Sequence, residues 1–560
     1  MMKRLEMKFY KHFQGLYASI RVIFQGEKDE GREREYMSRK RGTGSTTSRP
    51  HKSALSRLLT LTYLPDMPPR LPTLSRLVLR SPSATSITRN VLPRRVTAAG
   101  MSTSAERQSD FQALRQLGAK HITKGLGRIT EGIMVKGEGS YVYYDDGRKY
   151  LDFTCGIGVT NLGHAHERVS RAAADQCMGI VHSQCSIAMH EPYLRLIQRL
   201  LPVMPDPSLD SFFFWNSGSE AVEASIKMSR YLTGRQNVIC MQGAYHGRTY
   251  GAMAVTKSKT IYSEFTGPLM PGVYSIPFPY WHHFNLPPTT PTSTLVEQSL
   301  YQLDLLLAQQ TAPKDTACII VESVLGEGGY VPTPPEFLQG LRQVCDKHGI
   351  ILIIDEVQSG FGRASDGKGL FAVEESGVKP DILIIAKGLG NGFPISGVIS
   401  RSELTDKLKP GSMGGTYAGN AVSCAAAAEV LQVFHDEKIL DNVAARSQQL
   451  FSSLRALQSS NDLGPYILDV RGKGLMIGVE FVTPKSTTDG IVPDVGVVAG
   501  APEKMASRVA KKCIEKGMLI LTTSVYETIR FIPPLNVSEE DVKKGFGIFE
   551  EAVREVVREG

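Results

Sequence analysis

The first clear pattern of apolar and polar positions along the chain is an alternation at residues 139–153. The stretch "GSYVYYDDGRKYLDF" alternates on both sides of an Asp-Gly pair. Alternation with a period of two about such a dipeptide is typical of two antiparallel strands joined by a tight turn. We therefore predict a β-hairpin here.

From about residue 210 the alternation is replaced by short, uniformly apolar runs with helical patterns between them, such as "SEAVEASIKMSRYL" and "PEFLQGLRQVCDKHG". Strands that are apolar throughout and separated by helices indicate a mostly parallel sheet covered on both faces. We predict a large α/β domain whose strands lie at 211–216, 237–241, 317–323, 350–357, 381–386 and 394–400.

The pattern changes again outside these strands. Residues 266–293 are rich in proline and predict a long loop, and a helical stretch begins near residue 420. Beyond it, apolar segments alternate with helices, which predicts a smaller α+β region built jointly with the N-terminal segment. The predicted organisation is a leader (1–105), an N-terminal part of the small domain (106–165), the large domain (166–435) and a C-terminal part of the small domain (436–560). The strands of this last part are predicted at 474–481, 518–523 and 528–535.

Composition narrows the class of protein. Of the 560 residues, 42% are hydrophobic and 21% charged, as in ordinary soluble globular proteins. No apolar run reaches the roughly 18 residues that a membrane helix needs, so we predict no membrane insertion. The net charge is +8, but residues 1–100 hold 20 Lys and Arg against 7 Asp and Glu, and residues 101–560 hold 44 against 49. Because the basic charge is confined to the first hundred residues, we predict no nucleic-acid partner.

The leader has the composition of a targeting segment. Residues 67–100 contain six arginines, many Ser and Thr, and no acid, as mitochondrial transit peptides do. We expect the mitochondrial matrix as the location, with the cytoplasm as the alternative; a basic disordered tail is the competing interpretation. Residues 26–36 are of mixed charge and unlike such a segment, so Met67 would be its more usual start.

The cysteines and histidines give no metal signature. The eight cysteines are scattered from Cys155 to Cys513 without a C-x-x-C pair, which favours buried, reduced thiols of an intracellular protein. The pair His164 and His166 lacks nearby cysteines or paired carboxylates at metal spacing. We predict structural roles for both histidines and no metal site.

Candidate chemistry lies at the ends of three predicted strands, because sites in open α/β sheets lie beyond the carboxyl ends of the strands. The first strand ends in Ser217, Gly218 and Ser219, just where a helix begins. Hydroxyls and free N–H groups at a helix N-terminus suit a phosphate. An ordinary helix cap explains the same residues.

The other two strand ends carry opposite charges. One ends on Asp355 and another delivers Lys387 into the glycine-rich "KGLGNG", with a spacing that fits neighbouring strands joined by one crossover. A helix cap or ion pair for Asp355 and a solvated Lys387 are the simpler interpretations. Together, however, a phosphate cradle, a carboxylate and an amine are what pyridoxal 5'-phosphate requires. We also expect the glycines to let the cofactor approach the backbone closely.

Several motifs resemble one family, in its order and spacing. They are "NSGSEAVEASIKMSR", "GAYHGRT", "VLGEGGY", "IIDEVQSGFGR", "AKGLGNGFP" and "GGTYAGNAV". From about residue 120 to the C-terminus, the chain is similar to class III aminotransferases of pyridoxal-phosphate fold type I. This resemblance implies an α/β fold with a large, mostly parallel-sheet domain and a small α+β domain from the N- and C-terminal segments.

The resemblance also implies roles for individual residues. Lys387 would bond to the cofactor aldehyde and later move the substrate proton. Asp355 would hold the ring nitrogen, Gln358 would contact the 3'-oxygen, and Val357 and Tyr245 would pack on opposite ring faces.

The phosphate site implied by the resemblance spans two subunits. Gly218 and Ser219, together with Ser217 at the start of the helix, would bind the phosphate from one chain. Thr416 would reach it from the other, so the active enzyme would be at least a homodimer.

Within the class, the chain resembles 4-aminobutyrate aminotransferases most, which implies transfer of an ω-amino group to 2-oxoglutarate by a ping-pong route. Arg248, beside Ile157, would bind the distal carboxylate, and Arg530 the α-carboxylate. A bidentate pair with Glu327 would neutralise Arg530 when the donor has no α-carboxylate. Glu322 would be a second acidic support near Gln358 or Arg248.

Two alternatives stay open at this point. Acetylornithine and ornithine aminotransferases share the equivalents of Arg248, Glu327 and Arg530, so these residues do not name the amine donor. A nicotinamide-dependent dehydrogenase is more remote, because "GLGNG" is not the G-x-G-x-x-G of a dinucleotide loop.

Overall fold

The computed structural model describes residues 104–485 and 495–560. The predicted leader and its transit-like segment 67–100 lie outside these residues, except that 104 and 105 already belong to the first helix, Ser104–His121. The described residues form one compact unit. The domain boundaries proposed within this unit stay a prediction.

The strands of the described residues are numbered in chain order. They are β1 (Met134–Glu138), β2 (Tyr141–Tyr144), β3 (Lys149–Asp152), β4 (Ser211–Trp215), β5 (Asn237–Met241), β6 (Val273–Ile276), β7 (Thr316–Glu322), β8 (Val324–Leu325), β9 (Val331–Pro332), β10 (Ile351–Asp355), β11 (Ile382–Ile385), β12 (Ser396–Ser400), β13 (Ile467–Lys473), β14 (Met476–Phe481), β15 (Met518–Leu519), β16 (Leu521–Thr523) and β17 (Thr528–Phe531).

The helices of the same residues are numbered likewise. They are α1 (Ser104–His121), α2 (Cys155–Gly158), α3 (Glu167–Gly179), α4 (Glu191–Leu200), α5 (Gly218–Thr233), α6 (Tyr250–Val255), α7 (Trp281–Phe284), α8 (Thr292–Gln309), α9 (Pro335–His348), α10 (Ser402–Thr405), α11 (Ala421–Asp436), α12 (Ile439–Gln458), α13 (Met505–Glu515) and α14 (Glu539–Glu559).

A seven-stranded sheet forms the centre of the fold, in the order β4-β12-β11-β10-β7-β5-β6. The four pairings from β11 to β6 are parallel, and β12 is antiparallel to both of its neighbours. Every residue of β7, β10 and β11 is buried. Their uniformly apolar sequences follow from this burial on both faces, and the prediction of a mostly parallel sheet is confirmed.

Two four-stranded sheets lie outside the central sheet, and the first of them joins the N- and C-terminal segments. The predicted hairpin forms β2 and β3, and β15 adds to it in parallel, with Met518 opposite Leu151. A second sheet has the order β13-β14-β17-β16. The predicted single strand at 518–523 is therefore wrong in detail, because the chain changes sheets at Ile520 and forms two short strands. The predicted α+β region made from both ends of the chain is confirmed.

The prediction of one long loop at 266–293 is also wrong. This segment contains β6, which forms the edge of the central sheet beside β5, and the short helix α7. An edge strand of four residues pairs on one side only, so its sequence needs no long apolar run.

The described residues add four further observations. None of their helices is long and apolar enough to cross a membrane, and none of their His, Cys, Asp and Glu groups could hold a metal ion. All eight cysteines lie in this part of the chain and are free, six of them buried. His164 binds Asp152 through Nε2 at 2.7 Å, which gives it the structural role predicted.

Candidate active site

The charged strand ends meet at one edge of the central sheet. β10 and β11 are parallel neighbours, and Asp355, the last residue of β10, lies opposite Ile384. Lys387 follows three residues later, in a short 3-10 turn, Lys387–Leu389. Because parallel strands present their carboxyl ends at the same edge, the acid and the amine open into the same cavity.

This cavity has a volume of about 310 Å³. Ten of the fourteen residues proposed from the sequence line it: Ser217, Gly218, Ser219, Tyr245, Glu322, Glu327, Asp355, Val357, Gln358 and Lys387. It is also lined by Asn216, His246 and the segment 392–395, which the sequence did not indicate.

Lys387 is held in a form suited to nucleophilic chemistry. Burial lowers the pKa of its amine to about 8, against the opposing attraction of Glu327. More of the amine is therefore uncharged near neutral pH than in a solvated lysine. Its backbone is left-handed, with φ at +44°, a conformation that costs a non-glycine residue about 1–2 kcal/mol. Such strain is common where a side chain must be aimed at a site.

Two of the three glycines after Lys387, Gly388 and Gly390, serve the packing of the protein. The expectation that the glycines make room for the cofactor is wrong for these two and stays a prediction for Gly392. A Cβ on Gly388 would lie 2.2 Å from Nδ2 of Asn161, and one on Gly390 would lie 2.3 Å from the carbonyl oxygen of Phe393. Of the glycines in this turn, only Gly392 lines the cavity.

Asp355 has a partner that the sequence did not reveal. Its Oδ2 accepts a hydrogen bond from Nδ1 of the buried His246 at 2.8 Å, and its Oδ1 accepts one from the N–H of Val357 at 2.9 Å. Burial opposes the charged imidazole, but the contact with Asp355 outweighs it and raises the pKa of His246. His246 Nε2 is buried and has no hydrogen-bond partner within the described residues. The only sequence signal was its place in "GAYHGRT", beside Tyr245.

The start of α5 forms one wall of the cavity. Ser217 is the N-cap, and its Oγ accepts from the N–H of Glu220 at 3.3 Å and donates to the Glu220 carboxylate at 3.0 Å. The cap interpretation is therefore correct for this hydroxyl. Gly218 and Ser219 are the first helical residues, whose N–H groups have no acceptor inside the helix. The anion-binding part of the motif thus lies in these two residues.

The side chains of Glu322 and Gln358 both lie close to Gly326. Glu322 accepts hydrogen bonds from the N–H groups of Tyr245 and Gly326, at 2.9 and 3.0 Å. Burial raises its pKa to about 7. Glu322 therefore binds backbone N–H groups, and the expectation that it supports Arg248 is wrong. The expectation that Glu322 lies near Gln358 agrees with the structure, because both side chains lie close to Gly326. Gln358 Oε1 is buried and lacks a hydrogen-bond partner in the parts of the chain that are described.

Glu327 and Arg530 form the expected ion pair inside the fold. Their side chains are only 10% and 5% exposed, and the contact joins Glu327 Oε1 to one guanidinium nitrogen of Arg530. Burial disfavours the charged carboxylate, but Arg530 outweighs it and lowers the pKa of Glu327.

The expected bidentate geometry is wrong, because the second oxygen, Glu327 Oε2, accepts a hydrogen bond from Tyr262 at 3.3 Å. Arg530 Nε is buried with no partner among the described residues. The backbone of Glu327 is fixed by the N–H of Ser524, which donates to its carbonyl oxygen at 2.9 Å. Sequence reasoning missed Tyr262, since nothing in its surroundings repeats with a regular period.

Arg248 lies outside the cavity lining, on the exposed side of Tyr245. Its Nε donates to the Tyr245 hydroxyl at 3.2 Å, and its guanidinium lies 4.2 Å from the ring centre of Tyr262. Its backbone N–H donates to Ser219 Oγ at 3.2 Å. Arg248, the residue proposed from the sequence for the distal carboxylate, thus contacts Tyr245 directly. It also packs on Tyr262, which binds Glu327.

The structure does not bring Ile157 and Thr416 into the cavity of the single chain. Ile157 is 39% exposed and has a left-handed backbone in α2. Thr416 is exposed, in a loop held by a hydrogen bond from Cys185 Sγ to the carbonyl of Ala418 at 3.0 Å. Their roles stay predictions.

The residues present fit pyridoxal 5'-phosphate. The cavity combines a lysine of lowered pKa, the carboxylate of Asp355 and an unpartnered buried acceptor on Gln358 that suits a ring hydroxyl. At the start of α5, a Cβ on Gly218 would lie 3.0 Å from Val357 Cγ1, so a side chain there would close the space between the phosphate and ring positions. The N–H groups of this first turn supply the anion site.

Comparison with known proteins gives the family. The sequence model of the family "Aminotransferase class-III" matches residues 127–553. The 5-aminovalerate aminotransferase DavT of Pseudomonas aeruginosa is 35% identical, covering 78% of this chain and 96% of the relative. The 4-aminobutyrate aminotransferase GabT of Escherichia coli is 36% identical, over 79% and 98%. An acetylornithine aminotransferase of Clostridium acetobutylicum is 35% identical, over 75% and 95%.

A solved structure agrees with this assignment. The omega transaminase of Pseudomonas jessenii, determined in complex with PMP, is 26% identical with a TM-score of 0.70, covering 80% of this chain and 98% of that one. The fold, the cavity and the sequence matches therefore point to the same class. The chain belongs to the class III aminotransferases, which depend on pyridoxal 5'-phosphate and transfer an amino group from a donor to an oxo acid.

Proposed function

We propose that this chain transfers the ω-amino group of 4-aminobutyrate to 2-oxoglutarate, giving succinate semialdehyde and glutamate by a ping-pong route. The observation that carries the ω-amino part of this proposal is the buried pair of Glu327 and Arg530 beside the cavity. The choice of 4-aminobutyrate as the donor is supported by the similarity to the 4-aminobutyrate aminotransferase GabT. A donor without an α-carboxylate leaves Arg530 without a substrate partner, and an unpaired buried guanidinium is costly. Glu327 supplies that partner. Membership in the aminotransferase class removes the dehydrogenase alternative.

The chain's own residues support this reaction in a defined order. Bound pyridoxal 5'-phosphate supplies an aldehyde that takes the amino group and a ring that accepts the electron pair left at the substrate carbon. Lys387 would hold the aldehyde, and its amine would then take and return the proton at the carbon that bears nitrogen. Asp355 would keep the ring nitrogen protonated. Arg248 would hold the distal carboxylate and thereby place this carbon near Lys387.

A panel of donors tests the substrate. We expect the full-length, cofactor-loaded enzyme to show its highest kcat/KM with 4-aminobutyrate, when 4-aminobutyrate, 5-aminovalerate, acetylornithine and ornithine are compared at saturating 2-oxoglutarate. One methylene in a binding site changes discrimination by about 10- to 200-fold, so 5-aminovalerate is the sharpest comparison. A higher kcat/KM for either 5-aminovalerate or acetylornithine would overturn the assigned donor and leave the transaminase mechanism standing.

Removal of the switch carboxylate should affect the two half-reactions unequally. In Glu327→Ala we expect kcat/KM for 4-aminobutyrate to fall about 10- to 100-fold, the range of a hydrogen-bonded charged group. Glutamate brings its own α-carboxylate to Arg530, so its half-reaction should change only a few fold. Stopped-flow measurement of each half-reaction checks this, with the exposed Glu264→Ala as control. Equal losses in both half-reactions would contradict the switch.

We also infer that the enzyme acts as a homodimer in which Thr416 reaches the phosphate site of the partner. The exposure of Thr416 and its position outside the cavity of its own chain support this. The mitochondrial matrix remains the proposed location, with the cytoplasm as the alternative. This proposal rests on the composition of 67–100 alone.

A further inference from the structure

One side chain joins the two carboxylate sites. The hydroxyl of Tyr262 donates to Glu327 Oε2 at 3.3 Å, and the face of its ring lies 4.2 Å from the guanidinium carbon of Arg248. Its ring also meets that of Tyr245 edge to face, with centroids 5.4 Å apart and planes at 76°. Tyr262 therefore contacts one residue from each proposed carboxylate site and the aromatic residue between them.

The position and ionisation of Tyr262 suit a fixed donor. It ends a short 3-10 turn, Thr260–Tyr262, and is partly buried. Burial and then the charge of Glu327 raise the pKa of its hydroxyl to about 12. The hydroxyl therefore keeps its proton at neutral pH and can donate to the carboxylate whenever Glu327 is paired with Arg530.

We propose that Tyr262 is a positioning residue that sets substrate preference. Its hydroxyl stabilises the Glu327–Arg530 pair, and its ring holds the guanidinium of Arg248 in place. This inference rests on the proposed function, because it takes Arg248 and Arg530 as the two carboxylate sites. The hydroxyl occupies the oxygen of Glu327 that Arg530 leaves free. It thus holds the carboxylate in the paired state, which a donor without an α-carboxylate requires.

The two parts of the side chain have separable consequences. Loss of the hydroxyl weakens only the paired state of Glu327, so it should penalise 4-aminobutyrate and favour glutamate, which must displace Glu327. Loss of the ring removes a cation–π contact from Arg248, and this should weaken every ligand that places a carboxylate there. The two expected patterns differ in sign and in the substrates affected.

Two variants of the full-length, cofactor-loaded enzyme separate these effects. In Tyr262→Phe we expect kcat/KM for 4-aminobutyrate to fall about 10-fold, the lower end for a hydrogen bond to a charged group. The glutamate half-reaction should not fall and should rise by up to about 10-fold, because glutamate must displace Glu327 from Arg530. In Tyr262→Leu both half-reactions should be about 2- to 5-fold slower than in Tyr262→Phe, because the ring contact with Arg248 is lost as well. Tyr250→Phe removes an exposed hydroxyl that donates to the carbonyl of Thr266 and serves as the matched control.

Equilibrium binding gives a readout independent of turnover. Butyrate has one carboxylate and glutarate has two, and neither carries a reactive amine or oxo group. We expect Tyr262→Phe to leave the butyrate dissociation constant unchanged and to tighten glutarate about 2- to 10-fold, since glutarate must displace Glu327 from Arg530. Tyr262→Leu should weaken butyrate about 2- to 5-fold.

Several outcomes would overturn the role of Tyr262. These are equal losses in both half-reactions of Tyr262→Phe, an unchanged ratio of glutarate to butyrate binding in that variant, or identical behaviour of the Phe and Leu variants. Failure of the proposed function looks different: the native enzyme would then not use 4-aminobutyrate, while the ratio of glutarate to butyrate binding would still report on Tyr262.

Discussion

Replacement of Lys387 by alanine is expected to lower kcat by at least about 10³-fold, the largest effect of any single change in this chain. In the proposed mechanism, the variant would lose both the amine that bonds to the cofactor aldehyde and the base that moves the substrate proton. Proton transfer by a positioned side chain alone contributes about 10²- to 10⁴-fold. Steady-state kinetics with saturating 4-aminobutyrate and 2-oxoglutarate measures the loss.

A covalent readout distinguishes this loss from misfolding. Borohydride reduction of the cofactor-loaded native enzyme should fix the cofactor to the peptide that contains Lys387, and the alanine variant should take no label by mass spectrometry. Lys257→Ala removes an exposed lysine whose backbone N–H donates to the carbonyl of Ala244, the neighbour of Tyr245, and this variant should label as the native enzyme does. Small amines added to the Lys387→Ala variant should restore part of the turnover. Labelling of the variant at another lysine would contradict the assignment.

The second large effect is expected for Asp355→Asn. The amide keeps the size of the side chain but removes the negative charge that would pair with the ring nitrogen. Loss of one partner from a buried charge pair costs about 3–5 kcal/mol, which corresponds to about 10²- to 10⁴-fold in kcat. The cofactor should also bind more weakly, and titration of the apoenzyme with the cofactor measures this separately from activity.

Asp381 offers a matched control for the loss of a buried carboxylate. It lies just before β11, at the opposite end of the same pair of strands, and binds Arg342 and Arg401. Asp381→Asn should lower the midpoint of thermal unfolding and leave the cofactor dissociation constant within two-fold. If both variants weaken the cofactor equally, Asp355 acts through stability and the ring-nitrogen role is wrong.

The sequence predicted those parts of the site that follow from local motifs or from regular spacing along the chain. Asp355 and Lys387 end apolar runs separated by one crossover, and parallel strands oblige such ends to meet. The helix start at Gly218 follows from a cap residue and a helical period. These features are local, or they repeat along the chain with a fixed spacing.

The remaining parts depend on contacts between residues distant in sequence. His246 reaches Asp355 across 109 residues, and Tyr262 reaches Glu327 across 65. Neither contact leaves a period or spacing that a single sequence could show. The same holds for Ile520, where the chain leaves one sheet for another within an apolar run that reads as one strand.

The fixed backbone of Glu327 has a consequence for the speed of the enzyme. Because the N–H of Ser524 holds the carbonyl of this residue, the proposed exchange between donor and acceptor substrates would need rotation of one side chain and no movement of the backbone. Glu327 is buried, so this rotation must first break its contacts with Arg530 and Tyr262. Loop movements of active sites take microseconds to milliseconds. The rate of alternation between the two carboxylate patterns should therefore be set by the breaking of these two contacts and not by a loop movement.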